Sequence, residues 1–518
     1  MDRKKTIWQL IALRAAQSPD CIFLRDESGQ TLTYLEYHHA AEQVAAALAD
    51  RGISDRSTVA WQLPNWQEAL LLTAALCRLG ATQVPILPML RDAAVGFICR
   101  QVGADLLVTP RVWKDFDYAA MAGRIAAEQD GLATLALDST ASAGGGLPVS
   151  DQILAPPANS AGEQSVTWVF YTSGTTADPK GARHTDDSLI ATGAGMVGVL
   201  ELAADDVVPL VFPFTHIGGF SWLVAFLLTG CECLLVEIFS ADIIPYLRGH
   251  GVTVAGAGVV FAQTYLKAQR AQPGTPIMPE LRYVTGGGST KPPQLHEEVK
   301  VGLDCAGFIS GYGMTECPIA VMNTVRDPDD RLANTEGRPL PGMQVRIKGL
   351  DGRVLGSGEQ GVIWLKGPHQ CKGYVDSTLN AVAFDSEGFL NSGDLGQLDA
   401  EGWLSVTGRA KDIIIRKGEN ISAGKVEDIL YRHPNIAEIA VVALPDDERG
   451  ELTCAVVELK DLEQALTLEV LARFGLEHGL LKQELPERLE LVDALPRNPS
   501  GKVLKEALKQ RYSEKPSA

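Results

Sequence analysis

The sequence predicts an α/β protein with three parts: a large N-terminal domain of stacked, helix-covered sheets, a small β-rich subdomain, and a small α+β C-terminal domain. The first observation is alternation. Apolar or β-branched runs alternate with helical patterns at Ser57–Leu63, Trp66–Leu79 and Thr82–Ile86. The rhythm resumes in VTWVFY (166–171), VVPLVF (207–212), ECLLVEIF (232–239), VTVAG (252–256), LRYVTG (281–286) and AGFISG (306–311). This is βαβ order, and strands buried on both faces of a parallel sheet read as such near-continuous apolar runs. Second, glycine recurs among short strands such as GVIWLKG between about 338 and 408, which suits a small β-rich body. Third, the pattern after Arg409 changes to strand, helix, strand, helix, enough for a separate small domain. The expected boundaries are therefore 1–410, with the β-rich part near 338–408, and 411–518. The Gly, Pro, Ala and Ser-rich stretch 140–165 reads as a flexible connection within the large domain.

Composition excludes several classes of function. The 518 residues are 46% hydrophobic and 21% charged, the balance of a globular chain rather than a disordered one. Acidic side chains (64) exceed basic ones (46), for a net charge of −18, and the excess holds on both sides of Lys411. A nucleic-acid binder needs a basic patch to neutralise phosphates, so nucleic acid is excluded as a partner. The nine cysteines are scattered, with only Cys231 and Cys233 close together; neither a disulfide framework nor a zinc site follows, and a reducing cytoplasm is expected. No secretory pattern opens the chain, since MDRKKTIWQL soon meets Arg14, Asp20 and Arg25. The most apolar stretch, 207–239, holds Pro209, Pro213, His216, Glu232 and Glu237; it reads as buried strands around a loop rather than an integral membrane segment.

The sharpest chemical signal is YTSGTTADPKG (171–181), between an apolar strand and a helical stretch. Thr172, Ser173, Thr175 and Thr176 bring hydroxyls, Gly174 permits backbone angles that turn N–H groups inward, and Lys180 brings a positive charge. Together they suit a polyphosphate, although the Walker A spacing is missing. With this loop the chain resembles the adenylate-forming superfamily of acyl-CoA synthetases, luciferases and peptide-synthetase adenylation domains, apart from Ala177 where glycine is usual.

The resemblance continues in chain order and implies a role for each matching residue. In GYGMTE (Gly311, Tyr312, Gly313, Met314, Thr315, Glu316), Tyr312 would face the purine and Glu316 would hold the Mg²⁺ that accompanies ATP. Upstream, Gly286, Gly287, Gly288 and Ser289 would lie against adenine and the acyl group. In SGDLGQLDAEGWLSVTGRAKDIIIRKGENIS (392–422), Asp394 and Arg409 would bind the ribose, Lys411 would be the hinge to a mobile C-terminal domain, and Gly418 would face coenzyme A. Ala423 and Lys425 depart from a common Pro and Glu, while Glu427 keeps the pattern. In PRNPSGK, Lys502 would bridge the attacking carboxylate and the α-phosphate. His216, in FPFTHIGGF, stands where relatives place a His or aromatic beside the carboxylate channel; Phe220 and Trp222 follow closely enough to line an acyl pocket. Gly193, Gly195 and Gly198 also spell G-x-G-x-x-G, but within a helical pattern rather than after a strand, so no dinucleotide site is expected.

What the resemblance implies is an ATP-dependent acyl-CoA synthetase. A carboxylic acid and ATP would give acyl-AMP and pyrophosphate; acyl-AMP and coenzyme A would then give acyl-CoA and AMP. Thr172, Glu316, His216 and Lys502 would carry the chemistry, with ATP, Mg²⁺ and coenzyme A as cosubstrates. The apolar run after His216 suggests a fatty, alicyclic or aromatic acid. A monomer or homodimer is expected. The alternatives are an acyl-AMP ligase that loads a carrier protein and a non-catalytic nucleotide-binding homologue; the latter would be expected to have lost Lys502 or Glu316. Peptide-synthetase domains are disfavoured because FPFTHIGG lacks their amino-group Asp.

Overall fold

The computed structural model describes residues 5–138, 146–155, 165–172, 179–289, 291–349, 351–416, 419–446, 449–497 and 502–513. Three sheets build the large domain. The six-stranded sheet runs Gly181–His184, Trp168–Tyr171, Thr82–Pro85, Thr58–Trp61, Leu106–Pro110, Ala133–Leu137. All its pairings are parallel except the one at the Gly181–His184 edge. A five-stranded sheet carries Val254–Ala255, Tyr283–Gly287, Phe308–Met314, Cys317–Met322 and Arg338–Pro339; it is parallel in its first half and antiparallel in its second. The expectation of parallel sheets is thus corrected to mixed ones. The antiparallel pairings lie at the Gly181–His184 edge of one sheet and in the second half of the other, where a two-residue turn joins Phe308–Met314 to Cys317–Met322.

The third sheet joins Val207–Leu210 and Glu232–Leu235 to Ile22–Arg25 and Thr31–Thr33 near the N-terminus. Between its first two strands lies a helix, Ile217–Thr229, nearly all of whose residues are buried. Here the reading of strands around a loop is overturned. A helix apolar on all sides carries no period that separates it from strand or loop, and it is stable because other elements enclose it. Val224 of this helix meets Gly193 of the helix Asp186–Leu200, where an added Cβ would lie 2.5 Å from its side chain. Of the G-x-G-x-x-G glycines, Gly193 therefore serves helix packing, Gly195 makes room for Leu340 and His369, and Gly198 faces open space. Among the described residues no helix is long and apolar enough to cross a membrane.

The strands Gln344–Lys348, Gly361–Lys366, Leu390–Leu398 and Leu404–Arg409 form an antiparallel sheet of their own. Beyond Arg409 a short turn, Ala410–Asp412, leads into Ile413–Arg416 and a second sheet whose long hairpin is Ile436–Asp446 with Gly450–Leu459. This smaller body has its own core around Val426, Leu430, Val441 and Val457. Its helix Ala423–Leu430 is capped by Ser422, which accepts from the Lys425 N–H; Ala423 opens that helix, a position proline also tolerates.

Candidate active site

The phosphate loop is closed at its base. Strands Trp168–Tyr171 and Gly181–His184 pair antiparallel with Tyr171 opposite Gly181. The Thr172 N–H then donates to the Lys180 carbonyl at 3.0 Å and the Lys180 N–H to Thr172 Oγ1 at 3.3 Å. Ser173, Gly174, Thr175 and Thr176, like Gly418, lie outside the described residues. The outer edge of Gly181–His184 is lined by 372–375, where Val375 N–H donates to Gly181 O (2.8 Å) and Arg183 N–H to Gly373 O (2.9 Å). That pairing delivers Tyr374, whose hydroxyl donates to Glu316 Oε1 and whose ring centroid lies 5.9 Å from Lys180 Nζ.

Glu316 sits in the two-residue turn between Phe308–Met314 and Cys317–Met322. It is only 4% exposed. Burial pushes its carboxyl above the ordinary value, while the Tyr374 hydroxyl and the Lys180 and Arg409 cations pull the other way. The turn is pinned from behind by His184. Its Nε2 lies 2.8 Å from the Thr315 carbonyl, so that nitrogen must carry the hydrogen. Burial pushes this imidazole down to about 4, leaving it neutral. Neither Tyr374 nor His184 is signalled by a local motif, because each meets the site through a distant turn. Replacing Tyr374 with Phe should move the acid limb of activity upward in pH and cut turnover several-fold, since a hydrogen bond to a charged group contributes about 1.5–3 kcal/mol. The sign follows from the ionised carboxylate losing a donor; an unchanged pH profile for ATP–pyrophosphate exchange would remove Tyr374 from the site.

Asp394 and Arg409 face each other across neighbouring strands. Tyr312 Oη donates to Asp394 Oδ2 at 2.8 Å, and Arg409 Nε lies 2.9 Å from Oδ1. Each carboxylate oxygen keeps a second lone pair for a sugar hydroxyl. Lys502, from the C-terminal body, reaches the same cluster. Its ammonium is pushed down to about 8, chiefly by burial, then by the Arg409 cation, with Asp394 opposing and Lys411 adding to the effect. The structure therefore brings Tyr312, Glu316, Lys180, Asp394, Arg409 and Lys502 together. Lys411 lies in the exposed turn between the bodies.

Packing gives two of the glycines 286–288 a rationale of their own. A Cβ on Gly286 would lie 2.1 Å from Gly258 N, and one on Gly287 would lie 2.3 Å from Gly311 O. Close backbone packing demands both. Gly288 alone opens onto free space, with φ +83°, and Ser289 follows it. In the same sheet Gly313 is equally constrained, its Cβ falling 2.0 Å from Pro318 O, whereas Gly311 is looser, its nearest neighbours being the Met322 side chain at 3.2 Å and Val321 O at 3.4 Å; Met314 pairs with Cys317.

His216 caps the helix Ile217–Thr229. Its Nδ1 accepts from the Gly218 N–H at 3.0 Å, and burial pushes the ring down to about 4. A neutral ring that accepts at Nδ1 carries its proton on Nε2. Phe212 packs edge-on against it at 4.8 Å and contacts Phe261 at 6.0 Å, while Trp222 approaches Gly256. Phe220 is corrected: it has no exposed surface and packs on Trp168, Phe170 and Phe214. Helical spacing turns it into the core instead of toward a ligand.

Residues 11–375 match the family described as AMP-binding enzyme, and residues 425–502 match the AMP-binding enzyme C-terminal domain. The chain is 32% identical over 507 residues to the medium-chain fatty-acid–CoA ligase of Escherichia coli (strain K12), covering 96% of this chain and 88% of that one. It is also 32% identical over 528 residues to the salicyl-AMP ligase / salicyl-S-ArCP synthetase of Mycobacterium tuberculosis (strain ATCC 25618 / H37Rv), covering 97% and 90%. The crystal structure of ATP-bound MatB from Rhodopseudomonas palustris superposes with a TM-score of 0.87 at 26% identity, over 98% of this chain and 99% of that one. The apo form of MatB superposes less closely, with a TM-score of 0.77 at 26% identity over the same shares.

Proposed function

The chain belongs to the AMP-binding enzymes and is an adenylate-forming ligase of the acyl-CoA synthetase and aryl-AMP ligase kind, and from that premise we propose that it is an ATP-dependent acyl-CoA synthetase for a hydrophobic carboxylic acid. The observation that carries this reading is the convergence of Lys502 with Asp394 and Arg409, a cation from one body set into the candidate nucleotide cluster of the other.

In the first half-reaction a carboxylate oxygen attacks the α-phosphorus of MgATP and pyrophosphate leaves. His216 Nε2–H holds one carboxylate oxygen, Lys502 neutralises the charge that builds between carboxylate and α-phosphate, and Thr172 and Lys180 flank the departing phosphates. Asp394, with Arg409 beside it, holds the ribose hydroxyls. Glu316 is a hard oxygen donor and fits Mg²⁺, which usually keeps waters and takes one or two carboxylates plus substrate phosphates. No group of three or more His, Cys, Asp or Glu among the described residues is placed to hold a metal alone; the ion would arrive with its nucleotide. In the second half-reaction the thiol of coenzyme A attacks the acyl carbon and AMP leaves. Rotation of the C-terminal body about Lys411 would withdraw Lys502 and present Gly418 to the thiol.

The walls offered by Phe212, Trp222 and Phe261 support an apolar acid. The similarity to a salicyl-AMP ligase favours a second reading in which the acyl acceptor is a carrier-protein thiol. Pyrophosphate release from MgATP across fatty, alicyclic and aromatic acids, with and without coenzyme A, separates the two. Turnover that rises with coenzyme A and yields acyl-CoA by mass spectrometry supports the synthetase. Release that stops at one equivalent of bound acyl-AMP transfers the assignment to a carrier-protein ligase. No release with any acid would overturn both.

A further inference from the structure

The two bodies also meet through a polar contact made by side chains outside the nucleotide cluster. Gln263 lies on the helix Val259–Ala271 of the large domain. Its Nε2 donates to Glu438 Oε1 at 2.7 Å and lies 3.3 Å from the Tyr431 hydroxyl; both partners belong to the C-terminal body. Glu438 in turn accepts from Arg497 Nη2 at 2.8 Å. The Arg497 backbone forms an isolated β-bridge with Val503, the residue after Lys502. On its other side, the Gln263 helix starts at Gly258, whose backbone lies against Gly286, and carries Phe261, which contacts Phe212 beside His216. One helix thus touches the acyl walls at its start and, through two hydrogen bonds, is tied to Arg497, whose bridge partner Val503 follows Lys502.

We propose that Gln263, Glu438 and Arg497 form a latch that holds the C-terminal body, and Lys502 with it, on the acyl-site helix for the adenylating step alone. These are positioning residues; none is placed against the reacting atoms. The proposal rests on the functional reading above, and supplies what that reading lacks, a contact that must break when the C-terminal body rotates. Glu438 and Tyr431 are carried by the moving body and Gln263 by the stationary one, so a rotation that withdraws Lys502 separates them. Glu438 is partly buried in this contact, with Gln263 and Arg497 as its neutral and cationic partners. A carboxylate at 263 would place like charges together at hydrogen-bond distance.

The test compares Gln263→Ala and Gln263→Glu with the swapped pair Q263E/E438Q. Adenylation is read by ATP–pyrophosphate exchange with octanoate or salicylate as the probe acid, and thioester formation by adding coenzyme A to the supplied acyl-AMP. Loss of one hydrogen bond to a carboxylate is expected to lower the exchange kcat about tenfold in Gln263→Ala, and further in Gln263→Glu, with KM for ATP and acid unchanged and thioester formation within about twofold of the original. The swapped pair, which restores an amide–carboxylate hydrogen bond, should recover most of the exchange rate. Trypsin cleavage after Lys411 or Arg416, followed with MgATP and no acid, should be faster in Gln263→Glu than in the parent chain and slow again in the swap. Equal loss in both half-reactions, no loss in either, or a swap that fails to rescue would overturn the latch. If the parent chain exchanges pyrophosphate with no acid, the functional reading fails and the proteolysis arm still decides the latch: unchanged cleavage in Gln263→Glu would overturn it.

Discussion

Lys502→Ala is expected to lower adenylate formation by about 100- to 1,000-fold, the usual cost of removing one preorganised stabiliser of transition-state charge, while thioester formation from supplied acyl-AMP stays near its original rate. The asymmetry follows from geometry. Lys502 stands beside Asp394 and Arg409 in this arrangement, and the second half-reaction is proposed to proceed only after it has left. A matching loss in both half-reactions would remove Lys502 from the first step. Its titration gives an independent signature. Burial, reinforced by Arg409, sets this ammonium at about 8, and the charged form is the useful one. The kcat/KM for adenylation, which reports the free enzyme, should therefore hold below about pH 7 and fall as pH rises through about 8. Lys502→Arg, whose guanidinium stays charged, should lose rate yet lack that alkaline limb. If the limb persisted in Lys502→Arg, another group would own it.

Gly286→Ala is expected to be severely damaging for the addition of a single methyl group. The added Cβ would stand 2.1 Å from Gly258 N, 2.4 Å from Gly258 Cα and 2.6 Å from Ala257 C. All three are backbone atoms, so no side chain can swing away. Overpacking a core usually costs about 1–3 kcal/mol, and this contact belongs at or above the top of that range. The strand Tyr283–Gly287 and the start of the helix Val259–Ala271 must move apart at the candidate acyl site, so activity should fall along with the urea midpoint. Gly288→Ala is the control. Its Cβ meets nothing within 4 Å, and its cost is only that of φ +83°, about 1–2 kcal/mol for an L residue in the left-handed region. Equal midpoints for the two variants would show that the close approach of this strand and helix is not what glycine secures.

Much of the architecture was legible because strand burial writes itself into local sequence. The runs at 166–171, 207–212 and 232–239 each contain an observed strand, those at 281–286 and 306–311 each overlap one that runs on past their end, and the glycine-rich part ending at Arg409 is an antiparallel sheet. The helix Ile217–Thr229 was not legible, since it is buried on all sides and its apolar residues show no face. Nor was the pairing of Ile22–Arg25 with Glu232–Leu235, because two edge-compatible strands so far apart carry no mark of each other. Phe220 was misplaced for a related reason: its chain neighbours suggested a pocket, and its helical position turned it into an aromatic core.

The sequence by itself determined the chemical inventory. The hydroxyls and lysine of 171–181, the Glu316 turn, Asp394, Arg409 and Lys502 are recognisable because each motif needs neighbours only a few residues away. The tertiary structure alone decided how that inventory is held. Tyr374 reaches Glu316 across 58 residues, His184 reaches Thr315 across 131, and Gln263 reaches Glu438 across 175. It also decided that Gly286 and Gly287 are glycine for the sake of neighbouring backbone. The physical reason is range: periodicity and turn chemistry act over a few residues, whereas desolvation, hydrogen-bond partnership and close packing depend on what the whole chain brings into contact.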